Sequence, residues 1–266
     1  MITFTKLGEH GRLGNQLFQY ALVKSISLET GYELQLPNLN NRSHHGQKCL
    51  LLDLNIKYTP ITTLPKQIYY EKTEDIFDKD VFNVPPDTDF HGYFQHPSYF
   101  SKFRDIFIEE FKVKGSITNQ AKDILSQFKN PTSVHIRLGD YLAHNQNPDE
   151  YPKLVIEYIK QCINRLDLGT DYLVFTGGSR NGNHDRNSDF DWCKEKLQGN
   201  NFHFMEGNSE ILDFELIKNC KNNITGWDST FSWWASYLNQ NDGKIFCNTR
   251  HQVLPLYSYM KDWIVI

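Results

Sequence analysis

The stretch SVHIRLGDY (residues 133–141) decides how the chain should fold and where its chemistry should lie. Side chains alternate faces along a strand, so Val134 and Ile136 are expected in a core while His135 and Arg137 share the other face. Gly-Asp-Tyr follows at once, which leaves an imidazole and a guanidinium together at the strand's C-terminal end. Open α/β sheets bind their ligands at that end. An isolated Arg-x-x-Asp can also be a structural ion pair between Arg137 and Asp140, and spacing alone leaves both readings open.

Around this strand the second half of the chain alternates in period. Short apolar or β-branched segments at 171–175, 201–205, 222–225 and 244–248 read as strands. Between them, residues 151–166, 189–198, 209–220 and 230–238 carry apolar spacing that suits helices. The alternation βαβαβαβαβ predicts an α/β fold with a parallel, helix-covered sheet. The first half is less regular. ITFTKL (2–7) reads as a strand and NQLFQYALVKSISLE (15–29) as a helix with Leu17, Ala21 and Leu28 along one face. HGYFQHPSYF (91–100) is expected near the surface of a cleft, and the domain boundary is expected between 115 and 130.

With 266 residues, 39% of them hydrophobic, the chain can fill two cores. A net charge of −4 gives no general reason to bind nucleic acid, so any anion site must be local. Five scattered cysteines without a Cys-x-x-Cys pair predict reduced thiols and a cytoplasmic setting. No run of eighteen apolar residues occurs, which leaves peripheral attachment as the expected limit of any membrane association.

Three places could each seat an anion. GRLGNQ (11–16) turns from the first strand into a helix, where Gly14 allows close backbone approach and Asn15 and Gln16 add amide donors to the helix start. His135 and Arg137 form the second. The third is GWDSTFSWWASYL (226–238), whose Ser229 and Thr230 stand where a helix begins and can cap it and face a phosphate at once. Asp87-Thr88-Asp89 and Asp189-Phe190-Asp191 spell a metal-binding Asp-x-Asp triplet. Such triplets arise by chance among 32 acidic residues, so no metal is expected. No Gly-x-Ser-x-Gly or Cys/His arrangement suggests a nucleophile.

Taken in order, GRLGNQLFQYALV, HGYFQHPSYF, HIRLGDY and DFELIKNCKNNI followed by STFSWWASYL resemble the motif series of the α-1,2-fucosyltransferases of glycosyltransferase family 11. The resemblance implies a GT-B-like architecture of two Rossmann-like domains facing across a cleft, an acceptor-side domain (1–125) and a nucleotide-sugar domain (126–266). It implies inverting, metal-independent transfer of L-fucose from GDP-fucose, with no other cofactor, to a hydroxyl of a glycan acceptor, α-1,2 to galactose. His135, Arg137 and Asp140 fall on the family's His-x-Arg-x-x-Asp motif, with Arg137 on the donor diphosphate, and Asn15 falls on the Gly-Asn-Gln turn near the transferred sugar. More distant fucosyltransferases place an Asp on the guanine and a Ser on the phosphate, which corresponds to Asp213 and Ser229, with Thr230 and Phe231 following. His135 and Asp140 are both candidates for the base. Three departures, a Gly-rich insertion at 177–191, Asn222 in place of a His, and Asp228 in place of an Asn, are expected near the base or ribose, so another nucleotide sugar is the alternative donor.

Overall fold

The computed structural model describes residues 1–74, 76–139, 142, 149–176, 187–227, 229–248, 260 and 262–266. The chain divides into two compact units, Met1–Lys114 and Gly115–Ile266. The helix Ile117–Leu125, which a boundary after residue 125 would assign to the first unit, belongs to the second. There the Thr118 hydroxyl donates to the Glu215 carboxylate at 3.4 Å.

In the first unit the strands are short: β1 (Ile2–Thr3), β2 (Gln35–Leu36), a hairpin of β3 (Ser43–His44) and β4 (Gln47–Lys48), β5 (Thr59–Pro60), β6 (Gln67–Tyr70) and β7 (Thr88–His91). β1, β7 and β6 lie side by side in parallel, β2 pairs in parallel with β5, and a parallel bridge from Ile2 to Leu34 links the two sets. The helix Leu13–Thr30 covers this sheet and stops at Gly31, whose φ of 73° suits a residue without Cβ and lets its N–H reach the Ser27 carbonyl. The expected single apolar face is an underestimate. Residues from Leu13 to Ile26 are buried nearly all round, while Leu28 is exposed.

HGYFQHPSYF also differs from expectation, because Phe94, Tyr99 and Phe100 are core residues. Phe94 meets Phe4, Phe90 and Tyr99 edge to face, with centroids 5.9 to 6.4 Å apart. Its φ of 52° is strained for a side chain of this size. The Glu71 carboxylate holds it there, accepting the N–H groups of Tyr93 and Phe94 at 2.7 and 2.9 Å. Burial raises the Glu71 carboxyl above its ordinary range, against the pull of those two donors.

The second unit contains β8 (Thr132–Ile136), β9 (Tyr172–Thr176), β10 (Phe202–Phe204), β11 (Asn222–Ile224), β12 (Ile245–Cys247) and β13 (Ile264–Val265). They form one parallel sheet in the order β10-β9-β8-β11-β12-β13. Numbered within this unit the order is 3-2-1-4-5-6, that of the dinucleotide-binding folds. Val134, Ile136, Val174, Ile224 and Phe246 from the strands pack with Tyr151, Val155, Ile159 and Cys162 of the helix Tyr151–Ile163. Near the N-terminal ends of the central strands the interior is polar. Asn222 donates to the Thr132 hydroxyl at 2.9 Å, Asn223 to the Ser133 hydroxyl at 2.8 Å, and Asn239 to Asn223 at 2.6 Å. A buried amide costs stability unless its bonds are made, and here they are made between neighbouring strands and to the helices beside them.

Candidate functional site

Strand order places the site of the second unit. The chain leaves β8 towards β9 on one side and leaves β11 towards β12 on the other, so a crevice opens at the C-terminal ends of β8 and β11. His135 comes from β8 and is buried at 6% exposure. Its ring lies against Gly226, just beyond β11, and 5.8 Å from the Phe231 ring. Phe231 in turn meets Phe214 at 5.5 Å. These rings join the end of β8 to two helices, Glu210–Asn219 and Thr230–Tyr237.

Ser229 caps the second of these helices, its hydroxyl accepting the Ser232 N–H at 3.3 Å. Ser232 fixes the approach to the helix, because its own hydroxyl accepts the Gly226 N–H at 3.0 Å. The Phe231 N–H has no acceptor among the described residues. The helix start therefore carries the positive end of the dipole beside His135. Arg137 follows β8 directly and is half-buried, and its carbonyl accepts the Tyr151 hydroxyl at 3.0 Å. Asp213 lies in the first turn of Glu210–Asn219, buried at 4% exposure, and accepts from Asn208 at 3.0 Å.

Thus His135, Ser229, Thr230 and Phe231 come together, with Arg137 on the same strand end and Asp213 on the adjoining helix. Asp140, residues 177–186 of the 177–191 insertion and Asp228 lie outside the described residues, and the rest of the insertion enters the helix Asn187–Lys196. Asn222 belongs elsewhere than expected. It stands at the N-terminal end of β11, paired with Thr132, at the opposite edge of the sheet from this crevice.

Gly14, Asn15 and Gln16 group in the first turn of Leu13–Thr30 in the first unit. Gly11 before it has a φ of 87°, and a Cβ there would fall 2.3 Å from Nδ2 of Asn15, so glycine is what lets Asn15 fold back over the turn. Asn15 accepts from Gln95 at 3.0 Å. Gln16 is buried, donates to the Gly11 carbonyl at 3.0 Å and accepts from the Cys49 thiol at 3.4 Å, so both ends of its amide are engaged within the fold.

Several contributors escaped nomination from the sequence. Gly226 and Ser232 shape the seat of His135, and Gln95 holds Asn15. Asp189, weighed above as part of a metal triplet and of the 177–191 insertion, accepts the Gly139 N–H at 3.2 Å, two residues beyond Arg137. Among the described residues no group of three or more metal-ligating side chains gathers, and no helix is long and apolar enough to cross a membrane.

Two α/β units of this kind make a GT-B-like build. Solved structures of similar fold include the fucosyltransferase NodZ from Bradyrhizobium (TM-score 0.57, 11% identity, 88% of this chain and 92% of that one). POFUT1 in complex with GDP is another (TM-score 0.55, 15% identity, 92% and 95%). The chain belongs to glycosyl transferase family 11, which it matches over residues 4–266. Its relatives include an Escherichia coli alpha-1,2-colitosyltransferase, 27% identical over 87% of this chain and 86% of that protein. Galactoside alpha-(1,2)-fucosyltransferase 2 of Oryctolagus cuniculus is 23% identical over 96% of this chain and 75% of its own length.

Proposed function

We propose that the chain is an inverting galactoside α-1,2-fucosyltransferase that moves L-fucose from GDP-fucose to a galactose hydroxyl of a glycan without a metal ion. The observation that carries this reading is the packing of His135 on Gly226 at the switch point of the second sheet, next to Arg137 and the start of Thr230–Tyr237. In sugar transfer the bond from the anomeric carbon to the diphosphate breaks and negative charge builds on the leaving GDP. The Arg137 fork, His135 and the N–H groups of Thr230 and Phe231 answer that charge, with Ser229 capping the helix and contacting phosphate. Asp213 takes the guanine. In the first unit Gly14 and Asn15 serve the transferred sugar, and Gln16 holds their turn in shape.

A second donor reading, a nucleotide sugar other than GDP-fucose, is favoured by the likeness to a colitosyltransferase. Thermal shift against GDP, UDP, dTDP and CMP separates nucleotides, since a ligand at a hundred times its Kd adds about 2.7 kcal/mol. Incubation with labelled GDP-fucose and a galactoside array, with EDTA present, then tests transfer. Stabilisation by GDP alone and α-1,2-linked product in chelator support the reading. Nucleotide binding without transfer makes the chain a binding protein, and loss of activity in EDTA overturns metal independence.

A further inference from the structure

The first unit contains a polar cluster to which none of these roles is attached. β1 and β7 are parallel neighbours with Thr3 opposite Asp89, so Thr5 and His91 lie at the C-terminal edge of the first sheet, the edge at which such sheets bind ligands. The Asp89 side chain is only 3% exposed, against 23% for His91. Asp89 accepts the Thr5 N–H at 2.8 Å and the Thr5 hydroxyl at 2.5 Å, and it lies 2.8 Å from Nε2 of His91. A carboxylate only accepts, so in the neutral ring Nε2 carries the hydrogen and the lone pair sits on Nδ1. Among the described residues Nδ1 has no partner. Carboxylate, oriented imidazole and open lone pair are the parts of a general base whose tautomer is fixed by a third group.

The surroundings suit a sugar. Tyr70 of β6 stands opposite His91, with its ring 5.5 Å away and 64% exposed. The His10 ring lies 4.5 Å from that of Tyr93. His10 is held below its ordinary pKa by burial and then by His44, with His91 acting in the same direction and Glu74 opposing. Aromatic faces among groups that bond hydroxyls make a carbohydrate surface. By contrast His135, the other histidine weighed as a base, is buried between Gly226 and Phe231.

We infer that His91 accepts the proton of the glycan hydroxyl that receives the sugar, with Asp89 as its positioning residue; this rests on the fucosyltransferase reading. The acceptor O–H bond breaks and its proton passes to Nδ1 of His91. The oxygen forms a bond to the anomeric carbon as the carbon–oxygen bond to the β-phosphate breaks, and that electron pair leaves on GDP. Asp89 faces the imidazolium so formed, which then returns its proton to solvent.

The test compares His91→Ala and His91→Gln with the unaltered chain, after melting curves and GDP calorimetry have shown that both variants fold and bind nucleotide. Both are expected to lose about 10²- to 10⁴-fold in kcat with little change in acceptor KM. Added imidazole should restore turnover to His91→Ala but not to His91→Gln, which still fills the site. Asp89→Asn should lower kcat and Asp89→Glu recover part of it. A near-normal kcat in His91→Ala, or a raised KM without imidazole rescue, overturns the assignment. If the unaltered chain binds GDP but fucosylates no galactoside, the underlying reading falls and this inference with it.

Discussion

A methyl carbon placed on Gly226 would lie 2.4 Å from Nδ1 of His135 and 3.0 Å from the His135 carbonyl oxygen. The first distance is shorter than real carbon contacts and the second, to backbone, is tighter than nearly all of them, so ring and strand end must give way together. Gly226→Ala is expected to cost about 1–3 kcal/mol of stability. It should also weaken GDP binding by roughly tenfold, about 1.4 kcal/mol. Titration calorimetry with GDP measures this, and unchanged affinity would separate His135 from the donor.

Arg137→Lys keeps a positive charge and loses the planar fork that matches two phosphate oxygens. Removing one donor to developing charge typically costs about 10²- to 10³-fold, so kcat should fall at least roughly a hundredfold with the melting temperature little changed. Steady-state transfer assays decide it. Near-normal turnover would remove Arg137 from the leaving-group site.

His96 predicts an acid sensitivity of folding. It is buried against Phe77 and Tyr99, and its Nδ1 accepts the Ser98 N–H at 3.1 Å. Burial pushes it down to about 4 from an ordinary 6.5. Between those values the unfolded chain binds the proton and the folded one does not, so stability is full above about pH 6.5 and falls as the pH drops towards 4. The loss should reach roughly 2–3 kcal/mol. Urea melts of the wild type and of His96→Gln at pH 7.5 and 5 should show a smaller pH difference in the variant. Equal differences would assign the sensitivity to other groups.

All five cysteines are buried and unpaired. Burial raises the thiols, Cys49 to about 11 and Cys162, Cys193 and Cys247 to about 12, with Cys220 also raised. A buried neutral thiol is a poor nucleophile. At pH 8 the native protein should therefore resist iodoacetamide until urea is added, as intact mass would show. Rapid labelling of one site in the native state would identify a local opening.

The second sheet was legible because its central strands are buried on both faces. Runs such as YLVFT and SVHI are apolar enough to stand out, and parallel strands with helical crossovers read that way. The first sheet was not, because β1, β2 and β5 are two residues long and β7 is Thr-Asp-Phe-His, with one apolar residue and with Asp89 and His91 bonded to each other on one face. Residues of the site with charge or hydroxyls were nominated by type and position. Gly226, Asp189 and Gln95 act through where the fold brings them, Asp189 reaching back fifty positions to Gly139, and no local pattern encodes that.

The amides between the central strands carry one more consequence. Asn222 meets Thr132 and Asn223 meets Ser133 as neighbours in the pairing of β8 with β11. Sliding one strand by a single residue would strand both amides in the interior, whereas a purely aliphatic seam would tolerate the slip far better. Those two asparagines thus act as a ruler, setting at one edge of the sheet the height at which an imidazole and a glycine meet at the other.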